Sequence, residues 1–182
     1  MIKPMRFIIA ALLSFGLLLT VPVVPAPAAA PAAAPAATVV FTVGSLNYSV
    51  NGQVYAMDVA PVIEAGRSLI PVRFLAQALG ATPRDVDWDA ATGTVTVNLE
   101  ENGGWGRDIV LSLVVGSRTM TVINRPGSRG IQAQFISTRK VQMDAVPEIV
   151  DGRTMVPVRW VVQALGYALR WDPAGQSMVI TG

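Results

Sequence analysis

"GRSLIPVRFLAQALG" at residues 66–80 returns as "GRTMVPVRWVVQALG" at residues 152–166. Between 57–80 and 143–166, 13 of 24 aligned positions are identical, which makes this a duplication and not the chance return of a short phrase. A catalytic site is assembled once from different parts of a fold, whereas a structural unit can be copied. The phrase therefore reads as framework. Pro71 suits the start of a helix, where a missing N–H costs nothing, and Gly80 suits a left-handed stop. Val72, Leu75, Ala76 and Leu79 fall on one helix face, and Val158, Val161, Val162 and Leu165 repeat that face. So short a helix is not stable by itself. It must lie against strands on either side.

Those strands are legible outward from the helix. "LNYSVNGQVYAM" (46–57) is a hairpin signal, since Asn51–Gly52 can both take the positive φ of a two-residue turn. "PVIEAGRSLI" (61–70) reads as extended pieces around a turn at Ala65–Gly66. After the helix, "VDWDAATGTVTV" (86–97) answers to "LRWDPAGQSMVI" (169–180), and "VGS" at 43–45 answers to "VGS" at 115–117. The fold class expected is α+β: two tandem small modules, each an antiparallel β-sheet curled around one short α-helix. The first copy spans 41–101, a Gly-rich linker 102–108, and the second copy 109–182 with an insertion at 124–140.

The start of the chain is different in kind. "MIKPMRFIIAALLSFGLLLT" (1–20) sets Lys3 and Arg6 before an apolar run too short to span a bilayer comfortably. With the small residues that follow, it reads as a signal peptide over 1–28, the alternative being an uncleaved anchor. The Ala/Pro-rich stretch that follows, 29–40, reads as a semi-rigid spacer. The chain has 14 Lys and Arg against 12 Asp and Glu, and two of the cations are Lys3 and Arg6, so the remainder is balanced. That balance argues against a nucleic-acid protein. There is no Cys and no His, so the fold must be held by its core, and no cofactor or metal is expected.

"MDVAPVIEAGRSLIPVRFLAQALGA" (57–81) followed by "VDWDAATGTVTV" resembles the copper amine oxidase N-terminal domain, a stalk-like module of exported proteins in Gram-positive bacteria. The resemblance covers nearly all of 42–181, once per copy. It implies a sheet wrapped round a helix, and it implies no oxidase chemistry, because copper and the quinone belong to a separate catalytic domain. Asn47–Tyr48 is similar to the quinone-forming pair, but Ser49 follows where an acidic residue is required. The expectation is not an enzyme.

Duplicated residues are read first as structure. Asp58 with Arg73, and Asp144 with Arg159, are expected to tie strand to helix within each copy. Leu75, Leu79, Val161 and Leu165 belong to the core, and the matched Trp88 and Trp171 are expected to cap it. "DVDWD" (85–89) spaces three carboxylates, but Ala90 and Thr96 depart from a calcium loop, so Asp89 reads as the start of a turn. Two features have no counterpart. Trp105 lies in "EENGGWGRD" (100–108) and is a candidate for stacking on a partner or packing between copies. The insertion carries Arg125, Arg129, Arg139 and Lys140 with no acidic residue between 124 and 140, a candidate surface for an anionic polymer.

Together these give an exported, non-enzymatic structural or interaction module at the bacterial cell envelope, secreted or envelope-associated. Its partner is a cell-wall polymer or an envelope protein, and the membrane is touched only through the N-terminal segment. The alternative is a soluble extracellular protein that binds a small molecule, or inhibits an enzyme, in a cleft between the copies. An oxygen-ligand metal hydrolase is the competing enzyme class.

Overall fold

The computed structural model describes residues 37–100, 107–126 and 136–182. The signal segment, most of the spacer, Trp105, Arg129 and the middle of the insertion lie outside these residues. The first repeat supplies β1 (Thr38–Thr42), β2 (Asn47–Val50), β3 (Gln53–Ala56), β4 (Val62–Glu64), β5 (Arg67–Pro71), α1 (Val72–Ala78), β6 (Val86–Asp89) and β7 (Thr94–Glu100). The second supplies β8 (Arg107–Val114), β9 (Thr119–Pro126), β10 (Ser137–Gln142), β11 (Glu148–Val150), β12 (Arg153–Pro157), α2 (Val158–Ala164), β13 (Ala168–Asp172) and β14 (Ser177–Thr181). Among the described residues the class is α+β, mostly antiparallel sheet with two α-helices.

The repeats are interlocked and do not form two separate sheet-and-helix modules. One five-stranded sheet runs β13-β14-β1-β2-β3, the other β6-β7-β8-β9-β10, and a four-stranded sheet runs β11-β12-β5-β4. Each five-stranded sheet thus joins the first three strands of one repeat to the closing hairpin of the other. The four-stranded sheet pairs β5 with β12 antiparallel, Val156 opposite Ile70, and relates the two repeats as a quasi-twofold. The physical reason is burial. One repeat offers too little apolar area to close a core, and exchanging hairpins lets both helices share one.

Local signals explain the elements. Asn51 (φ 51°) and Gly52 (φ 84°) make the β2–β3 turn, both left-handed as that turn requires. Pro71 ends β5 and precedes α1, and Gly80 lies just beyond the helix at φ 97°. Val72, Leu75 and Ala76 on α1, and Val158, Val161 and Val162 on α2, are buried, with Leu79 and Leu165 half-buried beside them. Both helices enter the same apolar cluster as Phe41, Ile180, Leu111 and Val122. The core is continuous through both repeats.

Boundaries shift accordingly. β1 begins at Thr38, inside the stretch expected as spacer, because Thr38–Thr42 pair with Ser177–Thr181 of β14. Arg107 and Asp108, expected in the linker, start β8, and the flanks of the insertion extend the β9–β10 hairpin, with Asn124 opposite Ser137.

Candidate functional site

The duplicated polar residues are the natural starting point. Asp58 and Asp144 do pair with arginines, but with those of the opposite repeat. Arg153 Nε donates to Asp58 Oδ2 at 2.9 Å, and Arg153 Nη2 also contacts that oxygen. Arg67 Nε donates to Asp144 Oδ2 at 2.6 Å. The expected ties to Arg73 and Arg159 do not form. The cause is the β5–β12 pairing, which carries each Gly-Arg turn to the other repeat's aspartate. Arg73 and Arg159 are exposed and have no ion-pair partner among the described residues.

The two tryptophans correct a second expectation. Trp88 is 41 % exposed and Trp171 is 40 % exposed, so they do not close the core. Each ends a cross-strand column: Trp88–Val95–Leu113–Met120–Val141 in one sheet, Trp171–Met178–Phe41–Tyr48–Tyr55 in the other. Their places on edge strands β6 and β13 leave one flank of each indole open.

These groups converge. Beside α2, a groove of about 430 Å³ is lined by Trp171, Trp160, Arg159, Arg67, Asp144 and Ile63. Beside α1, its quasi-twofold equivalent of about 360 Å³ is lined by Trp88, Arg73, Arg153 and Ile149, with Thr154 and Gly152 behind them. Each groove takes its indole and helix arginine from one repeat and its Gly-Arg hairpin from the other. The α2 groove differs by Trp160, which replaces Phe74; its Nε1 donates to Asp144 Oδ1 at 2.6 Å. Phe74 instead packs on Tyr48 of β2. The repeat of Gly-Arg marked Arg67 and Arg153 in the sequence. Only the fold shows that they meet the aspartates.

Electrostatics follow these contacts. The hydrogen bond from Trp160, and then that from Arg67 and its charge, hold the Asp144 carboxyl below its ordinary value. The Arg153 hydrogen bond does the same for Asp58, assisted by Arg153's charge and by that of Arg73. In 85–89, Asp85 accepts from the Thr82 backbone N–H at 2.6 Å, and Asp89 accepts from Thr92 Oγ1 at 2.6 Å. Asp85 and Asp89 are each occupied in their own turn, and the described residues contain no cluster of three or more ligand-type side chains.

The cations of the insertion are divided. Arg125, Arg139 and Lys140 are exposed. By register, Lys140 stands opposite Thr121 and Arg125 opposite Asp108, on the sheet face away from the core. Arg139 stands opposite the buried Val122 and lines a hollow with Trp160 and Gln163. The edge strand β10 therefore carries positive charge on both sides.

The family model described as the copper amine oxidase N-terminal domain matches the chain twice, over residues 4–97 and 49–180. No curated protein and no solved structure matches. The two matches overlap within the first repeat and together span both, and the domain they describe is non-catalytic. The chain belongs to the copper amine oxidase N-terminal domain family.

Proposed function

We infer that this protein is an exported, non-catalytic interaction module of the bacterial cell envelope, whose folded part holds an anionic wall polymer. The observation that carries the reading is the β9–β10 arm. Arg139 and Lys140 stand exposed on the edge strand β10, and Arg125 is exposed on the neighbouring β9 opposite Asp108, in a sheet that continues from a filled core. Cations on both sides of an edge strand suit a linear anionic chain lying along it, and they also discourage edge-to-edge pairing with another sheet. The duplicated Asp58, Asp144, Arg67 and Arg153 are spent on ties between repeats, which supports a framework role for what the sequence copies. Among the described residues the core is continuous through both repeats and the hollows between them are open grooves at the surface, which favours an extended partner over an enclosed small molecule.

Retention on purified cell wall tests this reading. The chain is expected to bind at low salt and to elute as salt rises, because surface attraction is screened over a Debye length of about 10 Å at 0.1 M. Replacing Arg125, Arg139 and Lys140 together with Gln is expected to abolish retention. Retention unchanged by salt or by that triple substitution rejects the reading.

A further inference from the structure

None of the arm cations lines either groove flanking the helices, although Trp160 borders both the α2 groove and the Arg139 hollow, and nothing in the framework role needs the open grooves. We propose that each groove binds one carboxylated pyranose unit of an acidic polysaccharide, giving the molecule two quasi-equivalent saccharide sites. Three observations converge. Trp88 and Trp171 keep about two fifths of their surface open while Val95 and Met178, next in their columns, are fully buried. Arg73 and Arg159 border these indoles with no ion-pair partner among the described residues. The opposite wall of each groove carries the ion-paired arginine, Arg153 or Arg67, with polar atoms fixed by its aspartate.

A pyranose ring fits this arrangement chemically. One face of the ring is a patch of C–H bonds, which can cover an indole without stranding the equatorial hydroxyls at its rim. A guanidinium presents a planar fork matched to a carboxylate, so a uronic-acid unit would satisfy Arg73 or Arg159 in two parallel hydrogen bonds. In the α2 groove the Asp144–Arg67 pair offers an acceptor and donors to ring hydroxyls, and in the α1 groove Arg153 offers donors, with the Thr154 hydroxyl able to accept. A neutral sugar would leave the helix arginine without its counter-ion. The volumes of about 430 and 360 Å³ fall within the few-hundred-Å³ range of small-ligand sites. Both grooves are open, so each site binds weakly. Two sites at opposite ends of the β5–β12 pair gain by avidity on a polymer and not on a single unit.

The test titrates the purified, nitrogen-15-labelled chain with trigalacturonate and follows the indole N–H resonances, assigned by Trp→Phe variants. The Trp88 and Trp171 resonances are expected to move. Arg159→Gln should weaken the Trp171 response about tenfold or more, the size expected for a charge-assisted hydrogen bond. The same variant should leave the Trp88 response unchanged, which certifies the fold within one sample. Arg73→Gln should do the reverse. The arm variant that tests wall retention should leave both responses intact, so the two proposals fail separately. Three results overturn the assignment: no shift of either indole at millimolar trimer, an equal shift with the carboxyl-reduced neutral trimer, or an equal shift with a poly-glutamate peptide.

Discussion

Asp58 and Asp144 show how one residue type, placed twice, holds the repeats together. Each has a folded-state pKa below its ordinary value because an arginine of the other repeat, and for Asp144 first the Trp160 indole, hydrogen-bonds its carboxylate. A depressed carboxyl pKa contributes stability that is present above the ordinary value and is lost as pH falls through the folded one. Glu148 has the opposite sign. Its Oε1 is enclosed without a donor, and burial, followed by the adjacent Glu64 carboxyl, raises its pKa. Arg67, Arg118 and Asp144 line the same hollow. A raised carboxyl pKa favours the folded state at low pH, and that contribution is lost as pH rises from the ordinary value through the folded one. Glu148→Gln is therefore expected to raise the melting temperature at pH 7, with the gain vanishing in acid. Asp58→Asn with Asp144→Asn should lower it at pH 7 and flatten the acid limb. Both ties are exposed, so added salt should shrink the aspartate effect. Melting curves from acid to neutral pH check both signs.

At the scale of elements, the sequence is informative wherever the determinant is local. The Asn51–Gly52 turn, the stop at Gly80 and the buried stripe of each helix depend on residues a few positions apart, and their spacing names them. Strand partners depend on contacts far apart in the chain. Nothing in "TVVFT" (38–42) says that it pairs with 177–181 of the other repeat, so its first three residues, 38–40, read as spacer. The same limit hid the site. Asp58 lies close in sequence to both Arg67 and Arg73, and only the β5–β12 register sends it to Arg153. Trp88 and Trp171 look like core because aromatic residues in a strand pattern usually are, yet edge placement exposes them. Burial therefore ranks the consequences of substitution. Leu75 is fully buried on α1, and Leu75→Ala is expected to cost about 2–5 kcal/mol through the cavity it leaves. Trp88→Ala, on an edge, should cost clearly less despite the larger side chain removed. Urea unfolding of the two variants checks the order, and a larger loss at Trp88 would contradict the edge placement.

The two repeats share one continuous core among the described residues, and their topology says what a single repeat can do. Residues 38–100 alone would keep β1–β2–β3 without β13–β14, β6–β7 without β8–β10, and β4–β5 without β11–β12. Every sheet is cut along a strand whose backbone groups then lack partners: β1, β7 and β5. Leu75 and Ile70 would lose Val156 and Val158, their neighbours in the shared cluster. A monomer of that fragment cannot satisfy these edges or close the core. Two copies of it can, because the quasi-twofold that relates the repeats would become a true twofold, with the closing hairpin of each chain completing the sheet of the other. The fragment is expected to be unfolded when dilute and to fold as a hairpin-exchanged dimer as concentration rises, with a melting temperature that depends on protein concentration. Mixed with 107–182, it should form the heterodimer that restores the native sheets. Light scattering and circular dichroism across a dilution series read both outcomes. A folded monomer of 38–100, unfolding cooperatively and independently of concentration, would show that the repeat closes its own core and that hairpin exchange is incidental to stability.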